Sequence, residues 1–249
     1  MDLYYEASGS GKPIVLLHSG GADLRDWTFI APLLAQKYKV ITVDGRGAGL
    51  SPSPVSPANY VEDVLTLLNH LELDQVVLVG HSMGGQIATE FTLEYPERVA
   101  ELILIAPSLS GYQYSEEFNQ WMQKINSFFP DMEKMLELSL DAPSYRVVLT
   151  SRQKDLLVEM FRHHLKKIGE WKTFESVWPE PPAIERLEEI KARTLFILGE
   201  VELPDNQRIA SFFNRLPDVR FTHLPEADHM LTLTHPNVVS RTITEFLEE

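Results

Sequence analysis

Val76-Val77-Leu78-Val79-Gly80-His81-Ser82-Met83-Gly84-Gly85 is the stretch on which the reading of this chain turns. Four consecutive apolar residues do not suit a strand with one wet face, which would alternate. They suit a strand buried on both faces, as in a parallel sheet covered by helices. Gly80 and the Gly84-Gly85 pair then flank a serine, and residues 84–95 carry helical periodicity. A serine at a tight strand-to-helix turn occupies a strained backbone conformation, and small neighbours let the chain reverse around it. The turn also sets Ser82 at the positive end of a helix, where developing negative charge is stabilised. Gly-x-Ser-x-Gly alone is a weak signal; the strand before it and the helix after it make Ser82 a candidate nucleophile.

The same pattern recurs on either side. Apolar or β-branched runs at residues 14–18, 39–44, 75–80, 101–106, 194–199 and 220–224 read as strands, and residues 60–71 read as a helix. Strands alternating with helices imply an α/β fold with a mostly parallel sheet. Of the 13 glycines, all but Gly169 and Gly199 fall within the first 111 residues. Residues 108–190 are instead rich in helix formers and large apolar groups, among them Tyr114, Phe118, Trp121, Met122, Met135 and Trp171. They read as a helical cap inserted between two core strands, bounded by Pro107 and by the proline-rich residues 179–182. The α/β core then comprises residues 1–107 and 191–249. No internal repeat is present.

Composition removes several classes. The formal net charge of −14 disfavours nucleic acid and anionic membranes as partners. There are no cysteines, so disulfides, thiolate zinc sites and thiol nucleophiles are excluded. The first residues show neither a basic segment nor an apolar stretch, and no apolar run nears the roughly 18 residues of a membrane span. The expectation is a cytoplasmic protein. His163-His164 point apart on a helix, and His223 and His229 lack further ligand spacing, so no metal site is expected. Gly9-x-Gly11 has no strand–glycine–helix context for a dinucleotide, and no cofactor is expected.

A serine hydroxyl needs a base before it becomes a useful nucleophile. Of the eight histidines, His18 and His81 lie inside glycine turns, His70 on a helix, and His163-His164 in the insertion. His229 follows the last strand, and His235 is the fallback. Arg46, in Asp44-Gly45-Arg46-Gly47, reads as structural, satisfying carbonyls or carboxylates of its loop.

Across nearly its whole length the chain resembles the α/β-hydrolases. The resemblance rests on the segment around Ser82, on Leu16-Leu17-His18-Ser19-Gly20-Gly21, on Asp44-Gly45-Arg46-Gly47-Ala48-Gly49-Leu50-Ser51 and on Tyr95-Pro96-Glu97-Arg98-Val99. It continues through Gly199-Glu200, Asp228-His229 and Pro236 before a final helix. It implies a twisted sheet with helices on both faces, Ser82 as nucleophile and His229 as base. It implies Glu202 as the acid orienting His229, with Asp205 as the alternative. For the oxyanion hole it implies the backbone amides of Gly20 and Met83, with Gly21 as the alternative donor. Ser19 stands where the family usually has Gly, Glu202 where Asp is usual, and Asp228 where Gly precedes the histidine. The family often has one more strand before the segment matching residues 3–6.

The resemblance implies a hydrolase that cleaves a small-molecule carboxylic ester through an acyl-enzyme. Asp23-Leu24-Arg25-Asp26-Trp27 resembles the enol-lactone hydrolases, whose acidic substrates Arg146, Arg152 and Arg162 could serve. A carbon–carbon bond hydrolase also fits. The rival of another class is a non-catalytic or slow, single-turnover ligand sensor that keeps the same residues.

Overall fold

In the computed structural model, which describes all 249 residues, seven strands make one sheet. They are β1 (Tyr5–Ser8), β2 (Pro13–Leu17), β3 (Lys39–Val43), β4 (Val76–His81), β5 (Val99–Ile105), β6 (Arg193–Val201) and β7 (Val219–Asp228). Their order is β1-β3-β2-β4-β5-β6-β7. β2 to β7 pair in parallel, and β1 runs antiparallel to β3 at the edge. Each apolar run expected to be a strand is one. The consecutive apolar residues of β4 and β5, Val76–Val79 and Leu102–Ile105, are fully buried at 0% exposure, as a sheet covered on both faces requires. β1 carries no such pattern. Its Tyr-Glu-Ala-Ser faces solvent, and its pairing to β3, not burial of side chains, makes it a strand.

Ten α-helices accompany the sheet. α1 (Ala31–Leu34), α2 (Tyr60–His70) and α3 (Met83–Glu94) precede β5. α4 (Glu116–Asn126), α5 (Met132–Leu140), α6 (Arg146–Leu149) and α7 (Lys154–Ile168) fill the stretch between β5 and β6. α8 (Pro204–Phe212), α9 (Leu231–Thr234) and α10 (Pro236–Glu248) complete the chain. Local capping sets several starts: Asn59 accepts from Glu62 N at 3.0 Å, Ser115 from Phe118 N at 3.3 Å and Asp131 from Lys134 N at 3.0 Å. Each such cap satisfies an amide with no acceptor in its own helix. No helix is long and apolar enough to cross a membrane.

Two apolar cores result. The larger joins the sheet to its flanking helices. The smaller lies among α4 to α7, around Ile125, Met135, Leu157 and Met160, and also takes in Ala22, Met230 and Leu233 from the rest of the chain. The helical insertion is therefore packed onto the segments beside His229. Its two ends are fastened at Glu90 of α3, whose Oε1 accepts the Ser110 hydroxyl and the Ala183 amide, the latter at 3.0 Å. Burial pushes the Glu90 carboxyl above its ordinary range.

Candidate active site

Ser82 stands between β4 and α3 with φ +53° and ψ −114°. A non-glycine residue persists there only when its surroundings over-determine it. Four backbone bonds do so. Ser82 N donates to Ile105 O at 2.9 Å, and Ser82 O accepts from Gly85 N at 2.9 Å, Gln86 N at 3.1 Å and Ser108 N at 2.9 Å. The glycines supply the clearance. A Cβ on Gly80 would lie 2.2 Å from Gly84 O, and one on Gly84 would lie 2.2 Å from Leu17 O. The chain can turn here only without those side chains.

His229 comes directly after β7, and its amide donates to Ser144 O of the insertion at 3.0 Å. Its Nδ1 meets Glu202 Oε1 at 2.8 Å, and the Glu202 side chain is wholly buried. The second carboxylate oxygen accepts Asn206 Nδ2 at 2.7 Å and Leu203 N at 3.3 Å. Asn206, at the start of α8, also lies 3.2 Å from His229 Nδ1. With Nδ1–H committed to Glu202, Nε2 is the nitrogen left to take a proton. Burial by itself lowers the His229 pKa, but the charge and hydrogen bond of Glu202 outweigh it, and the imidazole titrates above its ordinary value.

The structure separates the alternatives for these positions. Asp205, the second candidate acid, turns away from His229. It is buried against Tyr112 Oη at 2.7 Å, Ser115 Oγ at 2.6 Å and Arg208 at 2.8 Å. These partners hold its carboxyl at about 2, against the desolvation that would raise it. Glu202 precedes the N-cap Leu203 whereas Asp205 lies in the first turn of α8, and the two side chains have separate partners. His235, the fallback base, contacts Thr234 Oγ1 at 2.8 Å at the start of α10. Arg46 does lie among carboxylates, joined to Asp63 at 2.7 Å and Asp2 at 3.0 Å.

The loop after β2 adjoins the Ser82 turn. A Cβ on Gly20 would stand 3.6 Å from Met83 Cβ. The Gly20 and Gly21 amides donate to nothing in the chain, whereas Ser19 N is committed to Asp26 Oδ2 at 2.9 Å. Met83, as the first residue of α3, has an amide without an intrahelical acceptor. Unspent backbone donors thus flank Ser82 on two sides. His18 fixes this loop through Nδ1–H to Ser19 O at 2.8 Å, while its Nε2 accepts Gly45 N at 2.9 Å. The additional Ser19 side chain is buried, with its Oγ unpartnered.

Sequence reasoning passed over two groups. One is Asn206; the other is the buried pair His81 and Asp26. Asp26 Oδ2 meets His81 Nδ1 at 2.8 Å, its Oδ1 accepts the Thr232 hydroxyl at 2.6 Å, and His81 Nε2 donates to His229 O at 2.8 Å. Although burial opposes ionisation of Asp26, the His81 charge and these bonds hold its carboxyl well below the usual range. Asp26 was visible only inside the Asp23–Trp27 stretch, where nothing announced its partner.

Ser82 and His229 line one cavity of about 350 Å³. Its walls include Tyr114, Phe118, Trp121 and Met135 from the insertion, and no Lys, Arg, Asp or Glu. Arg146, Arg152 and Arg162 are absent from it, and Arg162 pairs with Glu133 at 2.9 Å on the outside. A second cavity of about 270 Å³ lies beneath α2. No three His, Asp or Glu side chains are grouped to hold a metal ion.

A family model for the alpha/beta hydrolase fold matches residues 12–236. The chain belongs to the α/β-hydrolase family. This hydrolase is 27% identical over 261 residues to a putative 2-succinyl-6-hydroxy-2,4-cyclohexadiene-1-carboxylate synthase of Bacillus subtilis (strain 168), covering 97% of this chain and 92% of that protein. It is 25% identical over 260 residues to a pimeloyl-[acyl-carrier protein] methyl ester esterase of Legionella pneumophila (strain Corby), covering 100% of both. Among solved structures, MenH from S. aureus superposes with a TM-score of 0.82 at 19% identity, covering 98% of each chain. At that identity the likeness concerns the fold alone.

Proposed function

We propose that this α/β-hydrolase cleaves a carboxylic ester of a small to medium, uncharged and largely apolar substrate through an acyl-enzyme. The observation that carries this reading is the cavity holding Ser82 and His229, whose lining is mostly apolar and contains no charged side chain. A carboxylate substrate would leave water for a site with no cation to compensate it, at a cost of several kcal/mol or more. That weighs against an enol-lactone or carbon–carbon bond hydrolase acting on an acidic compound. The methyl ester esterase among the relatives supports the ester reading.

In the proposed reaction His229 Nε2 takes the Ser82 hydroxyl proton as Oγ attacks the acyl carbon. The amides of Gly20 and Met83 hold the oxyanion, with Gly21 as the neighbouring donor. Glu202 stabilises the imidazolium, which then protonates the leaving alcohol. Water, deprotonated by His229, releases the acid and restores Ser82. The residues 108–190 form a cap that closes this chemistry from bulk water. The chain's own groups suffice for every step.

Labelling with a fluorophosphonate, with the modified peptide mapped by mass, tests the reading without knowledge of the natural substrate. Label at Ser82, lost in Ser82→Ala and His229→Ala, together with repeated turnover of p-nitrophenyl acetate, is the expected result. Turnover should fall on the order of 10⁶-fold in Ser82→Ala. An unlabelled but folded protein sinks the proposal, and a single turnover with a retained acyl group moves the chain to the sensor class.

A further inference from the structure

The second cavity, about 270 Å³ in volume, lies between the ends of β2 and β3, α2, the first turns of α3 and the last stretch of the insertion. Leu17, Val43, Val64, Leu67 and Ile87 give it aliphatic walls. It has Gly20, Gly21, Met83 and His164 in common with the cavity that holds Ser82. The wall between the two is therefore the pair of segments that carry the unspent amides. A carbonyl placed against those amides has one cavity on either side.

The charged groups of this second cavity are already matched. Arg46 and Asp63 bind each other through two hydrogen bonds of 2.7 and 2.9 Å, and Arg46 also holds Asp2. Both nitrogens of His18 are engaged. Burial pushes His164 down to about 4, so it is neutral in ordinary buffers. An ionic ligand finds no free charge to pair with: the unpartnered polar atoms of the lining, Ser19 Oγ, His164 Nδ1 and Trp171 Nε1, are neutral and stand apart from the aliphatic walls. Trp171 and Phe174 close the outer side. Trp171 packs where a Cβ on Gly47 would come within 2.5 Å of its ring, and Phe174 is 65% exposed. A large aromatic standing in solvent over an aliphatic hollow suits an entrance for apolar groups.

We infer that this cavity under α2 is a second arm of the substrate site, and that it takes an uncharged hydrocarbon substituent of the ester while the other substituent occupies the cavity around Ser82. The inference rests on the ester-hydrolase reading for its chemistry, but binding alone can test it. Met83 forms the partition. Its flexible thioether side chain can follow substrates of different width. Each methylene entering the arm strengthens binding about fourfold until the cavity is full.

The test separates the arm from the chemistry by using Ser82→Ala as background. Displacement of the uncharged fluorophore N-phenyl-1-naphthylamine is measured for linear alcohols from butan-1-ol to decan-1-ol. The same series is repeated with Val64→Phe and, as a second blocking variant, Ile87→Phe added. The expected result is an affinity rising about fourfold per methylene and flattening in both blocked proteins, with octan-1-ol weakened at least about tenfold. An affinity independent of chain length, or a rise untouched by both blocking variants in folded protein, overturns the inference. In the Ser82 protein, Val64→Phe is expected to cut turnover of long p-nitrophenyl esters or of long alkyl acetates. If neither long series responds, the arm is not used by substrate. If no ester is turned over by the unaltered protein, the ester-hydrolase reading fails while the alcohol series still decides the cavity.

Discussion

His81 donates through Nε2 to the backbone carbonyl of His229 at 2.8 Å, and the two imidazole rings lie 5.2 Å apart. Two histidine–carboxylate pairs therefore stand side by side. Glu202 holds the His229 ring, while Asp26, through His81, holds the His229 backbone. Both nitrogens of His81 face acceptors, Asp26 Oδ2 on one side and the His229 carbonyl on the other. Neither side chain has any exposure.

Breaking that buried pair by Asp26→Ala abandons the His81 ring, the Ser19 amide and the Thr232 hydroxyl together. Removing one partner of a buried pair costs about 3–5 kcal/mol. Urea unfolding of the variant is expected to show a loss of that size, whereas a loss below about 1 kcal/mol would show the pair to be dispensable. Ester turnover should fall as well, since the same pair anchors both His229 O and the Ser19 amide.

Glu202 reaches His229 from a position one methylene further back than an aspartate would need, and Asn206 and Leu203 N hold its other oxygen. Glu202→Asp withdraws the carboxylate, and a displacement of about 1 Å is expected to cost on the order of 100-fold in kcat. Glu202→Gln removes the charge that stabilises the imidazolium, with an expected loss of about 10⁴-fold. Asn206→Ala loses one hydrogen bond to a charged group, about 1.5–3 kcal/mol, and so about tenfold or more in kcat. If kcat for p-nitrophenyl acetate is the same in Asn206→Ala as in the unaltered protein, Asn206 is not a positioning residue.

The pH profile follows from the same geometry. The proposed base must be neutral, and its folded pKa lies above the ordinary histidine value of about 6.5 because Glu202 outweighs burial. kcat/KM should therefore rise with pH through a midpoint above 6.5, and Glu202→Gln should move that midpoint down. Stability runs the other way. A histidine raised in the folded state contributes stability that is complete below its unfolded pKa and disappears as pH rises through the folded one. Activity and this part of the stability should have opposite slopes over one pH window. An activity midpoint at or below 6.5 would contradict the assignment.

The elements legible in the sequence were those whose burial leaves a periodicity. Val76–Val79 and Leu102–Ile105 are wholly buried and read as strands on sight; Tyr5–Ser8, held only by backbone pairing at the edge, did not. Ser82 was legible because its turn demands glycines, and a glycine requirement is written locally. Asn206, Asp26 and His81 were not, because their meaning lies in contacts across long stretches of chain. His81 and Asp26 are 55 residues apart, and Asn206 and His229 are 23 apart. The position three residues after Gly199 favoured Glu202 over Asp205 but said nothing of where either carboxylate points. Only the start of α8 determines which of them faces the histidine and which faces Ser115.

Asp228 stands where the family usually has glycine, and its surroundings explain the departure. It is fully buried, its Oδ2 accepts the amides of Val147 and Val148 at 2.9 and 2.8 Å, and its Oδ1 accepts Met230 N at 3.1 Å. Those first two amides open α6, so the residue before His229 caps a helix of the insertion. The His229 amide, bonded to Ser144 O, makes a further tie between the same two segments. Asp228→Gly leaves three amides without their acceptor, each costing about 1–3 kcal/mol if it stays buried and unpaired. The expected loss on urea unfolding is therefore about 3 kcal/mol or more, less whatever water recovers. Burial also raises the Asp228 carboxyl above its ordinary value. The folded state thus holds this proton more tightly than the unfolded chain, and stability should decline as pH rises through the raised pKa. Asp228→Gly should lack that component of the slope. Because the tie joins the insertion to the segment carrying His229, fluorophosphonate labelling of Ser82 should also slow in the variant. Labelling at the unaltered rate in a destabilised but folded protein would confine Asp228 to stability.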